Sequence, residues 1–210
     1  MDEVAGVRGY RGGDLRALYE ICVRTGHRGG DARGVFGDPD VLPVTFAEPY
    51  VALAPELAFV LDDGTGRAVG YVLGTADTAR FVKEFREVWL PRVAGRYPRP
   101  AGAPGTPDEF VAELLHTPER MLLPALAGHP AHLHIDLLPD WQHRGFGRRL
   151  MRAFLDALHA RGVARVHLTM ANANTGARAF YDRMGFYEIE PPGPDVTHLG
   201  RTTAPDPGPR

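Results

Sequence analysis

Two residue types are almost missing from this 210-residue chain: Cys22 is its only cysteine and Lys83 its only lysine. A single cysteine cannot form an internal disulfide, which is typical of proteins in a reducing compartment. It lies in an apolar run, where a free cysteine is usually a small buried hydrophobic residue rather than a nucleophile. The chain also lacks an apolar run of about 18 residues, so it predicts no transmembrane helix. We therefore expect a cytoplasmic protein that does not insert into membranes.

Charge of one sign is not in excess either, with 24 Lys and Arg residues against 26 Asp and Glu residues. The net charge of −2 creates no overall field for nucleic acid or an anionic membrane, and we expect neither as a partner. A chain of this length can bury one core and carry one insertion. We predict a single domain over residues 1–203, followed by a Pro/Gly-rich disordered tail over residues 204–210.

The hydrophobic pattern alternates between strand and helix periods, which predicts an α/β (α+β) fold. Strands are predicted over residues 4–10, 58–62, 68–75, 132–138, 164–170, 186–189 and 196–200. Helices are predicted over residues 14–25 (with Asp14 as N-cap), 78–93, 107–115, 148–160 and 175–184, with one helical turn near 43–50. The pattern predicts a mixed sheet of six or seven strands flanked by helices.

One glycine-punctuated turn, Gln142-His143-Arg144-Gly145-Phe146-Gly147, joins a predicted strand to a predicted helix. Backbone N–H groups at a helix start have no intrahelical partner, and the helix dipole adds partial positive charge there. Gly145 and Gly147 have no Cβ, so a phosphate could approach the backbone closely. The turn therefore predicts a site for a phosphate-bearing ligand. Alternatively, the glycines serve only the geometry of the turn.

Two motifs in this region resemble a known family. Gln142 to Gly147 matches in full the pyrophosphate signature of the GNAT superfamily of acyl-CoA-dependent N-acyltransferases. About 30 residues later, Asn172 to Tyr181 and then Met184-Gly185-Phe186 resemble the second family segment. Both motifs occur in the family order, so residues 132–190 resemble the superfamily. The resemblance implies a GNAT fold, with a mixed, mostly antiparallel and splayed sheet and with a helical insertion over about 76–130 before the fourth strand. It also implies acetyl-CoA as co-substrate, and acetyl transfer to an amine-bearing small molecule or peptide.

A narrower resemblance is to the acetyltransferase-like C-terminal domain of animal O-GlcNAcase. It rests on the segments 19–26, 48–56, 70–75, Trp89-Leu90-Pro91 and His134-Ile135-Asp136. The chain has no room for a glycosidase domain, so we expect a free-standing bacterial relative. Animal members lack the full glycine signature and are regarded as pseudo-acetyltransferases. This chain keeps the signature, which favours cofactor binding and catalysis; the alternative is a pseudoenzyme that binds acetyl-CoA as a binding or scaffold module.

The resemblance also implies where acetyl-CoA would lie. The strand backbone at Leu137 and Leu138 would pair with the pantetheine arm, and an N–H near Leu137 would polarise the thioester carbonyl. Backbone N–H groups from His143 to Arg148 would hold the pyrophosphate. Arginine side chains 144, 148 and 149 could add contacts to the phosphates. The expected cofactor-binding residues are Leu137, Leu138, Gln142, His143, Arg144, Gly145, Phe146, Gly147, Arg148, Asn174 and Tyr181.

Three residues are candidates for proton transfer. By motif position, Tyr181 would protonate the leaving thiolate, although it could simply pack its ring at the helix–sheet boundary. His134 and Asp136 share one face of a strand, and either could accept the proton of the amine. Alternatively, these two side chains hydrogen-bond to each other and stabilise a bulge. A metal site of the form His-x-His-x-Asp lacks an evident fourth ligand, and we expect no metal.

The sequence says least about the acceptor. Aromatic and acidic side chains suit an amine, so the candidates for acceptor binding are Asp31, Phe36, Tyr50 and Trp89, each of which could also be structural. Asn174 could cap the following helix or contact the cofactor. The insertion could form a lid or the interface of a homodimer.

Overall fold

The computed structural model describes residues 5–27, 29–191 and 193–205. Within them, seven strands form one sheet in the order β1-β2-β3-β4-β5-β7-β6. Every neighbouring pair is antiparallel except β4 and β5, which run parallel. The strands are β1 (Gly6–Gly9), β2 (Ala58–Asp62), β3 (Ala68–Thr75), β4 (Ala131–Leu137), β5 (Arg165–Ala171), β6 (Tyr187–Glu188) and β7 (Val196–Thr202). This mixed, mostly antiparallel sheet confirms the expected fold class.

Helices cover both faces of the sheet. They are α1 (Leu15–Thr25), α2 (Val41–Phe46), α3 (Glu48–Leu53), α4 (Thr78–Glu84), α5 (Leu90–Val93), α6 (Pro107–His116), α7 (Phe146–Ala160) and α8 (Thr175–Arg183). A π-helical turn, Phe85–Trp89, joins α4 to α5. All eight residues of β3 are buried, as expected of a central strand with packed helices on either side.

The longest of these helices, α7, buries the apolar residues that recur at helical spacing in its sequence. Its buried residues are Leu150, Met151, Phe154, Leu155 and Leu158, which recur at helical spacing and form one apolar stripe. Phe154 packs so close to β3 that a Cβ on Gly74 would lie 2.4 Å from the ring atom Cζ. Only glycine fits at that point, and its lack of a side chain brings α7 directly against the sheet.

Several local predictions need correction. Asp14 does not cap α1, because its carboxylate accepts hydrogen bonds from the Arg8 guanidinium (2.7 and 2.8 Å) and from the Arg11 N–H (2.8 Å). The single turn expected near 43–50 is two short helices, α2 and α3. The strand expected over 186–189 is only two residues long, and α7 begins two residues earlier than predicted. Val4 of the first predicted strand, Pro192, and residues 206–210 of the predicted tail lie outside the described residues.

The feature that positions the site is a short pairing between β4 and β5. Only two residue pairs join them, Ala131 with Val166 and His132 with His167. β3, by contrast, pairs with β4 over six residues without a register shift. Residues 133–137 of β4 therefore continue beside β3 while β5 diverges, and a gap opens between the two parallel strands.

Candidate active site

The backbone of β4 offers hydrogen-bonding groups to this gap. The N–H of Leu138 donates to the carbonyl of Val69 on β3 at 2.9 Å. Because backbone groups alternate along an antiparallel strand, the N–H and carbonyl of Leu137 point away from β3 and toward the gap. The Gln142 side-chain amide donates to the Leu137 carbonyl at 2.9 Å. Gln142 thus anchors the following turn to the end of β4, and the Leu137 N–H faces the gap.

The turn after β4 leaves a run of backbone donors at the start of α7. His143 and Gly145 adopt left-handed conformations, with φ of 57° and 82°. Among the described residues, none of the six N–H groups from His143 to Arg148 has a hydrogen-bond partner. The α7 dipole adds positive potential at the same place. A row of donors at a helix N-terminus is suited to an anionic group such as a phosphate.

The two glycines of the turn serve different purposes. Gly145 needs its positive φ, which side chains of other residues rarely tolerate. A Cβ on Gly147 would lie 3.3 Å from Cε2 of Phe180 on α8. Gly147 therefore permits the close packing of α7 against α8. The packing function explains the second glycine without a ligand, while the first shapes the donor row.

The arginines near the turn are not equivalent. The Arg144 guanidinium lies over the ring of Trp141 (5.0 Å) and near that of Phe146 (5.4 Å), and these two rings pack half-buried against the core. Arg149 donates to the carbonyl of Ala5 at 3.1 Å. Arg148 is exposed. Arg144 thus lies beside the aromatic rings that flank the turn, whereas Arg149 points toward the backbone at Ala5.

Asn174 and Tyr181 belong to α8. The Asn174 side chain accepts a hydrogen bond from the Ala177 N–H at 3.1 Å and so caps the helix. The Tyr181 ring is buried against Phe180 and Phe186, with centroids 5.3 and 5.4 Å apart. Its hydroxyl makes no hydrogen bond within the described residues, although it is not sealed from solvent. Burial, together with the nearby Asp136 carboxylate, raises the pKa of Tyr181, so the phenol keeps its proton at neutral pH.

His132, His134 and Asp136 form the polar face of β4. Each of these side chains lies within hydrogen-bonding distance of a tyrosine hydroxyl, and none of them hydrogen-bonds to another. The Tyr71 hydroxyl donates to Oδ2 of Asp136 at 2.9 Å, from the position directly opposite on β3. Nε2 of His134 lies 3.1 Å from the Tyr50 hydroxyl. The hypothesis of a His134–Asp136 hydrogen bond at a bulge is therefore wrong: two residues apart, the side chains start about 6–7 Å from each other. The β3–β4 register contains no bulge.

The same burial shifts the proton affinities of these two groups in opposite senses. Burial raises the pKa of Asp136 to about 6, and the Tyr71 hydrogen bond opposes part of the shift. Burial lowers the pKa of His134 to about 4, aided by the positive charge of Arg120. At neutral pH, Asp136 is ionised but close to its titration range, and His134 is neutral. Of the two, Asp136 has the proton affinity that suits a base.

Comparison with known proteins now decides the family. Residues 104–186 match the family model described as "Acetyltransferase (GNAT) family". The fold superposes on the crystal structure of SsHAT with a TM-score of 0.94 at 65% identity, over 96% of this chain and 100% of that one. The chain belongs to the GNAT acetyltransferase family.

This GNAT chain is also similar to two more distant proteins. Protein O-GlcNAcase of Rattus norvegicus is 26% identical over 201 residues, which are 93% of this chain and 22% of the rat protein. The chain thus spans about a fifth of that relative, and the expected resemblance to O-GlcNAcase is confirmed. The phosphinothricin acetyltransferase of Sinorhizobium meliloti, solved in complex with AcCoA, shares the GNAT fold (TM-score 0.54, 14% identity, 95% of this chain and 88% of that one).

The GNAT fold does not gather the four residues expected to bind the acceptor. Trp89 is 4% exposed and its indole N–H donates to the Val44 carbonyl at 3.0 Å, so it is a core residue and that expectation is corrected. Tyr50 is 2% exposed, and its hydroxyl lies within hydrogen-bonding distance of His132 and His134 on the polar face of β4. Asp31 forms a surface ion pair with Arg33, and Phe36 packs half-buried against the core. Only Tyr50 of the four adjoins β4.

Other residues around the polar face were not anticipated. Tyr71 is directly opposite Asp136, and Thr78 at the start of α4 contacts His132. Phe46 faces the His134 ring at 6.2 Å, and the Arg120 guanidinium lies 5.8 Å from the Phe46 ring. The period-2 pattern of β3 could have indicated Tyr71, once its pairing with β4 was known. The others come from helices in separate parts of the chain and leave no local signal.

The described residues contain neither a cluster suited to a metal ion nor a helix suited to a membrane. In residues 5–27, 29–191 and 193–205, no three His, Cys, Asp or Glu side chains are arranged to hold a metal ion. In the same part of the chain, no helix has both the length and the apolar character to cross a bilayer.

Proposed function

We propose that the chain is an active N-acetyltransferase, which binds acetyl-CoA along the gap between β4 and β5 and acetylates an amine. The observation that carries this proposal is the row of six backbone N–H groups at the start of α7, soon after the end of β4, which have no hydrogen-bond partner in the described part of the chain. Such a row suits the pyrophosphate of the donor. The gap beside β4 suits the pantetheine arm, which would add to the sheet like an extra strand.

The donor side would be organised by main-chain groups. The Leu137 N–H faces the gap and would donate to the thioester carbonyl oxygen as charge develops there. Gln142 holds the Leu137 carbonyl and keeps this end of β4 in place. Arg144, held over two aromatic rings at the mouth of the turn, would add positive charge near the phosphates.

The reaction needs one proton removed and one supplied. The amine nitrogen attacks the thioester carbon, so that a C–N bond forms and the C–S bond breaks. Asp136 takes the proton from the nitrogen, since its pKa of about 6 lies closer to the working range than the pKa of about 4 at His134. Tyr181 keeps its phenolic proton at neutral pH and would donate it to the leaving thiolate.

Acetyl-CoA binding and turnover are tested separately. We expect acetyl-CoA at about 1 mM to raise the melting temperature, because a ligand that binds only the folded state stabilises it. A screen of small amines and peptides for thiol release should then identify an acceptor. The absence of any thermal shift at this concentration would contradict the placement of the donor.

A second candidate is an acetyl-CoA-binding scaffold module without catalysis. The similarity to the O-GlcNAcase region, which covers 93% of this chain, favours it. Binding of acetyl-CoA with no thiol release across polyamines, amino sugars, aminoglycosides and histone-like peptides would support this candidate. Thiol release that depends on both Asp136 and Tyr181 would exclude it.

A further inference from the structure

A continuous hydrogen-bond network connects His134 on the polar face of β4 with Tyr50, His132 and Thr78 in the core. Oγ1 of Thr78 lies 2.8 Å from the Pro130 carbonyl and 2.8 Å from Nδ1 of His132. Nε2 of His132 lies 2.8 Å from the Tyr50 hydroxyl, which lies 3.1 Å from Nε2 of His134. Thr78, His132 and Tyr50 are all buried, so these polar groups depend on one another rather than on water.

The chemistry of each group determines which atom donates and which accepts in every hydrogen bond of this network. Two oxygens at 2.8 Å attract only with a proton between them, and the Pro130 carbonyl has none, so the Thr78 hydroxyl donates there. Thr78 must then accept from Nδ1–H of His132. Burial, with smaller contributions from the neighbouring His167, His134 and Arg120 side chains, lowers the pKa of His132 well below its ordinary value, so its ring is neutral.

The remaining links follow from that neutral ring. A neutral imidazole has one N–H, so Nε2 of His132 carries a lone pair and accepts from the Tyr50 hydroxyl. The Tyr50 oxygen has spent its only proton and accepts from Nε2–H of His134. His134 is also neutral, so its lone pair is on Nδ1. Four hydrogen bonds thus select one tautomer of His134.

The second ring nitrogen of His134, Nδ1, belongs to a residue on the stretch of β4 that borders the gap. Within the described residues Nδ1 has no hydrogen-bond partner, and it is not among the side-chain atoms sealed from solvent. His134 is half-buried in the part of β4 that has separated from β5, on the same face as Asp136. Two acceptors, a neutral imidazole nitrogen and a carboxylate, therefore flank one stretch of strand.

We infer that Nδ1 of His134 accepts a hydrogen bond from the attacking amine, and that Thr78, His132 and Tyr50 are positioning residues which hold this tautomer. The inference rests on the proposed acetyltransferase function. When the acceptor is a primary amine, one of its two N–H groups passes a proton to Asp136 as the C–N bond forms, and the other hydrogen-bonds to His134.

The tautomer can be measured without any turnover. In protein labelled with ¹⁵N-histidine, long-range ¹H–¹⁵N correlation at pH 7.5 should show His134 protonated on Nε2 and unprotonated on Nδ1. The reverse tautomer would overturn the inference. In Thr78→Val, which removes the hydroxyl, His132 is free to switch and we expect a mixed population at His134. Thr78→Ser, which restores the hydroxyl, should restore the wild-type signals.

Kinetics then test the role toward the acceptor. With the amine found in the thiol-release screen, we expect Thr78→Val and Tyr50→Phe to raise the acceptor KM about 10-fold, the effect of one hydrogen bond, with unchanged KM for acetyl-CoA. Thr78→Ser should recover the wild-type value, and melting curves identify variants that do not fold. An unchanged acceptor KM in both folded variants overturns the inference alone. Absence of thiol release from every amine overturns the proposed function as well.

Discussion

The proposed donor side and the proposed acceptor side of this site are built from different groups. The proposed donor side consists of backbone N–H groups from His143 to Arg148 and of the Leu137 N–H, all within 12 consecutive residues. The proposed acceptor side consists of side chains that come from β3, β4, α3 and α4, which are far apart along the chain. A backbone site is determined by local conformation, whereas a side-chain site exists only after distant segments have packed. Substitutions should therefore separate the two sides cleanly.

The largest effect on acetyl-CoA binding is expected from Gly147→Asp, on the proposed donor side. A Cβ here would lie 3.3 Å from Phe180, and a carboxylate would repel a pyrophosphate at the same helix start. We expect at least about 100-fold weaker acetyl-CoA binding by titration calorimetry. Gly102→Asp, at an exposed glycine with open space around it, is the matched control. Wild-type affinity in folded Gly147→Asp would refute the placement of the pyrophosphate.

On the acceptor side, Asp136→Asn should lower kcat by about 100- to 10,000-fold while acetyl-CoA affinity stays near wild type. In the wild type, kcat/KM should rise with pH through about 6, because Asp136 must lose its proton before it can act as a base. The variant should lose this limb of the profile. Asp140→Asn, at an exposed carboxylate after β4, serves as the control. A pH limb that persists in Asp136→Asn would assign the base to another group.

Tyr181→Phe touches both sides, since α8 packs on α7 while the hydroxyl lies near Asp136. The ring packing is preserved, so we expect unchanged melting temperature and acetyl-CoA affinity. Turnover should fall about 100-fold, the lower end of the range for loss of one acid or base catalyst. Tyr187→Phe, at an exposed tyrosine of β6, controls for loss of a hydroxyl elsewhere. Wild-type turnover in Tyr181→Phe would leave Tyr181 with packing alone.

The smallest effect on the site is expected from Trp89→Phe. The change removes the indole donor of the Val44 carbonyl, and an unpaired buried group costs about 1–3 kcal/mol of unfolding free energy. Urea unfolding should show this loss, while KM for acceptor and donor stays within about two-fold of wild type. Phe110→Leu, at an exposed apolar residue of α6, is the control. A large change in acceptor KM would return Trp89 to the binding site.

The sequence predicted the local structure of the proposed donor side better than the side-chain contacts of the proposed acceptor side. The strand–turn–helix segment that includes Gly145 was predicted with its ends within two residues, because glycine preferences and helical periodicity are local properties. His134 and Asp136 were predicted to share a face, because alternation along a strand is also local. The sequence did not predict that Tyr50 and Tyr71 would be their hydrogen-bond partners, since pairing across the sheet depends on register and on how α3 packs.

The residues that resist prediction from sequence share a physical cause. An aromatic such as Trp89 has the same identity whether it lines a cavity or fills a core, and only burial distinguishes the two. Asp14 has the residue type and position of an N-cap, yet its ion pair with Arg8 redirects the carboxylate. In both cases a contact with a residue of another secondary-structure element outweighs the local preference.

By itself, the sequence of this chain determines the fold class, the family and the backbone turn that suits a phosphate. These follow from periodicity, glycine positions and motif order, which act over a few residues. Tertiary structure alone decides that Asp136 becomes a stronger base, that His134 stays neutral in one tautomer, and that Trp89 is withdrawn from the surface. Proton affinity and hydrogen-bond direction depend on burial and on partners such as Tyr71 and Tyr50, and packing alone brings these together.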